Sequence, residues 1–196
     1  MPDETPLYER ILDAAEVVLR RHGVEKTNVV DIARVLDMSH GNLYRHFPSK
    51  KAILDAVAAR WLLAVTLPLE AIATDGTRPA ALRLQAWFDT LRLAKRRKIL
   101  DDPELFHVYH GIAKNMRDVI ADHVAGLNRQ LETIIAEGVR DGEFSRNLEP
   151  KAAARAFFQA SAPFHHPALI LQEPPTDEEA RMVFGLLLAG LRAGPL

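Results

Sequence analysis

Read as a string of apolar and polar positions, the chain repeats every three to four residues, the spacing of helices packed on one face. Leu7, Ile11, Ala14, Ala15 and Val18 recur this way after Thr5-Pro6, a cap followed by proline at the first helical position, until Gly23 stops the run. Val29, Ile32, Ala33 and Leu36 form a second, narrow stripe of about two turns, with Thr27 or Asn28 as its cap. Asp37 and Met38 make a tight connection to a third short helix, capped by Ser39, in which Leu43 and Phe47 share one face. Pro48 ends it, because the residue before a proline is pushed out of the helical region. Ser49 caps a much longer fourth helix through Ile53, Val57, Trp61 and Ala64, expected to kink at Pro68 and to end near Gly76.

Further helices are expected over residues 79–98, 103–124, 126–141, 150–171 and 177–193, separated by Asp-Asp-Pro at 101–103, Asp-Gly at 141–142, Glu-Pro at 149–150 and Glu-Pro-Pro at 173–175. No strand pattern, internal repeat or low-complexity tract interrupts them. The expectation is an all-α fold with three small N-terminal helices, a long connecting helix and a larger helical body.

Composition narrows what such a protein does. The 196 residues are 48% hydrophobic, enough for a substantial core. Lys plus Arg (25) nearly cancel Asp plus Glu (26), so a nucleic acid or an anionic surface must be met locally and not by bulk charge. The lack of cysteine removes disulfides, thiolate zinc sites and cysteine nucleophiles, and fits a cytoplasmic location. The acidic start, MPDETPLYER, does not indicate secretion. The richest apolar stretches, LLAVTLPL and VFGLLLAGL, fall short of the ~18 residues of a membrane span, so no membrane partner is expected.

Residues 37–50, DMSHGNLYRHFPSK, are rich in hydrogen-bonding groups. A short helix, a tight turn and a second short helix with a polar outer face is helix-turn-helix geometry, whose second helix lies in the DNA major groove. With Leu43 and Phe47 inward, His40, Gly41, Tyr44 and Arg45 fall on the outer face. Gly41 costs roughly 1 kcal/mol against Ala in a helix interior, which makes sense where a backbone must come close to a phosphate or base edge. Between Ser39 and Arg60, Arg45, Lys50, Lys51 and Arg60 face Asp55 alone, a local positive balance. Thr27, Ser39 and Ser49 stand at three helix starts, where backbone N–H groups favour phosphate, although such hydroxyls also serve as plain caps. His40 and Asn42 can offer donors to base edges.

From Ile11 to Leu54, ILDAAEVVLRRHGVEKTNVVDIARVLDMSHGNLYRHFPSKKAIL, the chain resembles the DNA-binding domain of the tetracycline-repressor (TetR) family of transcriptional regulators. Ala14-Ala15, Gly23, Thr27, Asp31-Ile32-Ala33, Ser39, Gly41, Leu43-Tyr44, His46-Phe47 and Ser49-Lys50 are all in register with it. The resemblance implies that Thr27 and Asn28 meet the DNA backbone, that Ser39, His40, Gly41 and Asn42 enter the major groove, that Tyr44 and His46 meet phosphates, and that Lys50 anchors the start of the fourth helix. Arg45 is a candidate base contact, and Asp37, acidic beside the recognition helix, is expected to face solvent or Arg34. It implies a helix-turn-helix domain over residues 1–50 and a ligand-binding and dimerisation domain over 51–196. It also implies a homodimer formed by the last two long helices on a palindromic operator. Ala152, Ala156, Phe157 and Ala160 with Val183, Leu187, Gly190 and Leu191 supply a seam of small and apolar residues, which equally suits an intramolecular core.

In the body, Trp61, Trp87, Phe88, Leu91, Phe106, Tyr109, His110, Phe158 and His165 are candidates for lining a pocket for an unknown small-molecule effector. The functional expectation is a non-enzymatic repressor, without cofactor or metal, released from its operator by that effector. An alternative is an all-helical metal-dependent enzyme built on Glu104, His107, His110, His165 and His166, in which Glu104-x-x-His107 matches one carboxylate-histidine step of a di-iron bundle but has no second.

Overall fold

A computed structural model describes residues 6–100, 106 and 117–194, and among them every regular element is helical. The elements are α1 (Leu7–Lys26), α2 (Val29–Val35), α3 (His40–His46), α4 (Lys50–Ala73), α5 (Ala80–Leu100), α6 (Arg117–Arg140), α7 (Pro150–Ala160), α8 (Pro167–Gln172) and α9 (Asp177–Ala193), with a 3-10 turn at Ala162–Phe164. The described residues divide into two compact units: 6–63 with 106 and 117–121, and 64–100 with 122–194.

The first unit is the three-helix bundle expected from the apolar stripes. Ile11, Leu12, Ala15, Val18 and Leu19 of α1, Ile32 and Ala33 of α2, Leu43 of α3 and Ile53 and Val57 of α4 form one buried cluster. Phe47 seals it and stacks on Tyr8 at 5.0 Å. The turn between α2 and α3 is a Schellman motif: Met38 N–H donates to Ala33 O at 3.0 Å and Asp37 N–H to Arg34 O at 3.2 Å. Asp37 takes the left-handed position with φ 51° that glycine would fill at lower cost. It is exposed, and Arg34 pairs with Asp31 instead, at 2.8 Å.

The second unit has its own core of Leu84, Trp87, Phe88 and Leu91 from α5, Leu127, Leu131, Ile134 and Ile135 from α6, Phe157 from α7 and Phe184 from α9. Phe88 is its centre, with ring centroids 5.5 Å from Phe164, 5.6 Å from Phe184 and 6.3 Å from Phe157. Side chains close the helix starts: the Glu143 carboxylate accepts from Ala80 N and Ala81 N, Glu149 accepts from Lys151 N and Ala152 N, and Thr176 with Glu179 forms a reciprocal capping box.

Three features depart from the apolar pattern's forecast. Past Gly23 helical turns resume to Lys26, so the glycine kinks α1 without ending it. Helix α4, by contrast, runs through the exposed Pro68 and ends at Ala73, close to the limit expected at Gly76. The boundary expected at residue 125 is missing, and α6 continues through Ala125-Gly126: a lone glycine costs about 1 kcal/mol, less than burying Leu127 and Leu131 returns. Residues 150–171, expected as one helix, are broken between Ala160 and Pro167, where two prolines, Pro163 and Pro167, withdraw donors. Thr5, residues 103–105 and residues 107–116 lie outside the described set, and α1 starts at Leu7 with Pro6 in the cap position.

Although Lys50–Ala73 is long and apolar enough to cross a membrane on length and composition, Ile53 and Val57 are buried in the first core and Val65 and Leu69 in the second.

Candidate nucleic-acid interface and ligand-site residues

The outer face of α3 is built by subtraction. Leu43 and Phe47 face inward at 0% and 4% exposure, which leaves Ser39, His40, Gly41, Tyr44, Arg45 and His46 exposed and Asn42 half-buried. The His40 and Tyr44 rings meet edge to face at 4.5 Å, four residues apart, and hold each other upright on that face. Ser39 Oγ accepts from Asn42 N at 3.2 Å and Ser49 Oγ from Ala52 N at 3.1 Å, so both hydroxyls cap the helices they precede. A methyl group added at Gly41 would meet, among the described residues beyond its own helical turn, no atom within 4 Å, so nothing there calls for glycine.

Asn28 caps α2, its Oδ1 accepting from Val30 N at 3.2 Å. Thr27 is turned inward: it is 3% exposed, and its hydroxyl donates to Gly23 O at 2.6 Å. The same carbonyl also accepts from Thr27 N at 3.1 Å, and Gly23 itself, at φ 71° and ψ 175°, holds a conformation essentially reserved for glycine. Lys50 closes the same corner by donating from Nζ to Val24 O at 2.8 Å and Glu25 O at 3.4 Å.

The local positive balance counted from sequence is smaller in three dimensions. Lys51 pairs with Asp55 at 2.7 Å, and Arg60 reaches back to three carboxylates of α1, Glu9 (3.0 Å), Asp13 (2.7 Å) and Glu16 (2.6 Å). These partners lie some forty to fifty residues upstream, beyond any local count. Arg45 stays exposed without a charged partner among the described residues.

The described residues among those expected to line an effector pocket belong to both units. Trp61 packs against the core of the first unit. Trp87, Phe88 and Leu91 are fully buried in the second. Trp87 Nε1 donates to Gln130 Oε1 at 2.9 Å, and Gln130 Nε2 donates to Glu70 Oε2 at 2.7 Å. Phe158 stacks on His165 at 4.4 Å, and His165 Nε2 lies 3.1 Å from Phe158 O. Phe106 is buried, and Tyr109 and His110 lie outside the described residues. So do Glu104 and His107 of the metal alternative, while His165 is buried and His166 exposed. No group of three metal-binding side chains occurs among the described residues, and the enzyme reading gains no support.

Sequence reasoning passed over Lys95 and His123. Lys95, on α5, is 7% exposed with Nζ 3.3 Å from His123 Nε2 on α6, and His123 Nδ1 lies 3.2 Å from Thr66 Oγ1 on α4. Burial, then Lys98, pushes the Lys95 ammonium down to about 8. Burial, then Lys95, holds His123 down at about 3, and burial holds His165 down at about 4 despite its bond to the Phe158 carbonyl. The signal in the sequence was a lysine in register with Phe88 and Leu91, on a stripe that should be apolar throughout.

The exposed face of α9 carries Met182, Gly185, Leu186, Ala189 and Gly190, with Leu186 73% exposed. On α7, Ala152, Ala156 and Ala160 of the expected seam are exposed, Phe157 and Leu191 are buried inside the unit, and Val183 and Leu187 are half-buried.

Residues 80–183 match the family model described as the tetracyclin repressor-like C-terminal domain, and residues 11–57 match that of bacterial regulatory proteins of the tetR family. A 63-residue stretch is 36% identical to an uncharacterized HTH-type transcriptional regulator, YvdT, of Bacillus subtilis (strain 168), spanning 32% of each chain. Over 162 residues, 81% of each chain, the sequence is 24% identical to the fatty acid metabolism regulator protein of the same organism. The fold is similar to the crystal structure of the transcriptional regulator FadR from Bacillus subtilis in complex with stearoyl-CoA, with a TM-score of 0.64 at 19% identity over 93% of this chain and 98% of that one.

Proposed function

Because the chain belongs to the tetracycline-repressor family, we propose that it is a DNA-binding transcriptional regulator, a repressor that leaves a palindromic operator when a small molecule binds its second unit. The observation that carries the reading is the outer face of α3, where His40, Tyr44 and Arg45 surround Gly41, a glycine with no intramolecular reason to be one. In this reading Ser39, His40, Gly41 and Asn42 enter the major groove, Asn42 suits an adenine edge, Arg45 is a base contact, and Tyr44 and His46 meet phosphates. Asn28 and the N-terminus of α2 face the backbone, with Thr27 and Lys50 fixing where α2 and α4 begin. Two copies pair through the small-residue faces of α7 and α9, setting recognition helices on half-sites ~34–36 Å apart. Such a protein works in the cytoplasm, where its operator is.

The bound stearoyl-CoA of the FadR neighbour supports an effector with a large apolar part. Release requires that the effector bind more tightly to a conformer whose recognition helices no longer fit successive grooves. Selecting bound fragments from random genomic DNA tests the reading directly. A palindromic consensus, lost with Asn42→Ala and Arg45→Ala, is expected; retention of DNA without sequence preference overturns it.

A further inference from the structure

The corner between α2 and α3 holds an open groove of about 450 Å³. Ser39 and His40, two of the residues proposed to enter the major groove, line one side of it, and Val30, Arg34, Asp37 and Met38 line the rest. Two parts of this lining are out of place on a surface that meets only phosphates. One is a carboxylate, which phosphate oxygens repel, and the other is an aliphatic side chain, Val30, left 42% exposed.

The packing of the first unit does not call for the carboxylate. Asp37 stands at φ 51°, in the left-handed region where glycine costs least, so the turn alone favours another residue. Its nearest cation in sequence is engaged elsewhere, because Arg34 bonds Asp31 at 2.8 Å. His40, three residues on, has its ring set edge-on against Tyr44 at 4.5 Å. Asp37 is exposed, and among the described residues its carboxylate has no hydrogen-bonding or charged partner.

A carboxylate only accepts hydrogen bonds, and the donors that a duplex shows in its major groove are the amino groups at cytosine N4 and adenine N6. The adenine amino group lies beside N7, an acceptor whose lone pair repels a carboxylate. The cytosine amino group lies beside the apolar C5–H edge of its own ring. Val30 and Met38 offer that edge an apolar wall, so the charge and the aliphatic lining of the groove select the same base.

We propose that Asp37 reads a cytosine in each half-site, its carboxylate accepting from the N4 amino group while Val30 and Met38 cover the C5 edge of the same base. The proposal rests on reading α3 as the recognition helix, and adds to it a contact from the turn that precedes it. An aspartate held in the left-handed region is then kept for sequence preference, which the stability of the turn does not require.

The test is selection by the full chain from a library of randomised duplexes at one salt concentration, run in parallel for the parent, Asp37→Asn and Asp37→Gly. Asparagine and glycine both suit φ 51°, and each variant is checked by circular dichroism to melt no lower than the parent. The parent is expected to fix a cytosine in each half-site. Asp37→Asn is expected to move that position towards adenine, whose N6 and N7 fit a carboxamide, and Asp37→Gly to leave it unselected, with the rest of the consensus intact. Replacing the cytosine by 2-pyrimidinone, which lacks the amino group, is expected to weaken the parent about tenfold and to leave Asp37→Gly unaffected. One consensus shared by all three proteins overturns the proposal alone. So does tighter binding of Asp37→Gly to every sequence by the same factor, the mark of a carboxylate that only repels phosphate. A parent that selects no consensus overturns the recognition-helix reading and this contact with it.

Discussion

The ammonium of Lys50 donates to the carbonyl oxygen of Val24 at 2.8 Å, fastening the first residue of α4 to the last turn of α1. That carbonyl belongs to the turn that Gly23 rotates out of line, so two residues twenty-seven apart in sequence form one corner. Lys50→Met is expected to lower the stability of the chain by about 1–2 kcal/mol in urea titration, the scale of a hydrogen bond to a charged donor. Gly23→Ala should cost about 1–3 kcal/mol, because alanine pays for the same backbone angles. If Lys50 also neutralises a phosphate, the slope of log affinity against log salt falls by about 0.9 in Lys50→Met; an unchanged slope leaves it a structural tie alone.

Gly41 yields a prediction with opposite signs for stability and binding. Alanine there meets no atom within 4 Å among the described residues beyond its own helical turn, so Gly41→Ala should raise stability by about 0.5–1 kcal/mol through helix propensity. The same methyl group stands on the face proposed to approach DNA, and operator affinity should drop at least tenfold. A variant that is more stable and binds operator normally would remove the reason offered for this glycine.

Arg60 holds Glu9, Asp13 and Glu16, which stand four and three residues apart along one face of α1. Without the guanidinium, three carboxylates repel one another across successive turns. Arg60→Met should destabilise the chain by about 1–3 kcal/mol at low salt, and 0.5 M sodium chloride should restore part of that loss by screening. Salt-independent destabilisation would mean that packing of the arginine stem, not charge, is what α1 loses.

How much of this was legible in the sequence follows from the range of each interaction. Leu43, Phe47, Ile53 and Val57 announce themselves by spacing alone, and all four are buried as expected. Ser39 and Ser49 cap the helices they precede because a cap needs only three residues of context. The surface charge around α3 was misjudged because the carboxylates that hold Arg60 come from α1, out of reach of any local count. Thr27 reads as a surface hydroxyl until Gly23 is known to present it with a carbonyl. Lys95 was missed for a related reason: lysine in a helical stripe is ordinarily solvated, and only the arrangement of α4, α5 and α6 shows that this one is not.

Leu186 is 73% exposed on a face shared with Gly185 and Ala189. If this face joins two copies, Leu186→Lys should convert the dimer to a monomer by sedimentation, and Gly185→Leu should do the same by keeping the helices apart. Half-site affinity of the monomer should be retained while affinity for the full palindrome collapses. A Leu186→Lys protein that sediments as the parent does, with the same operator affinity, would place the interface elsewhere.

The buried histidines fix the acid side of the stability profile. In the unfolded chain each titrates near 6.5, whereas burial and the positive neighbourhood of Lys95 hold His123 at about 3 and His165 at about 4 in the folded chain. Between those limits the unfolded state binds protons that the folded state refuses, so the histidines' contribution to stability is complete above pH 6.5 and is lost as pH falls. Each histidine contributes a slope of about 1.4 kcal/mol per pH unit. Lys95, at about 8 when folded against 10.5 when free, adds a second rise in stability between those two values. Urea midpoints measured from pH 4.5 to 7 should therefore fall steeply with acid, and His123→Gln should remove about half of that slope while leaving the profile above pH 7 unchanged. A parent profile that is flat between pH 5 and 6.5 would mean that the folded chain admits a proton to this cluster without penalty.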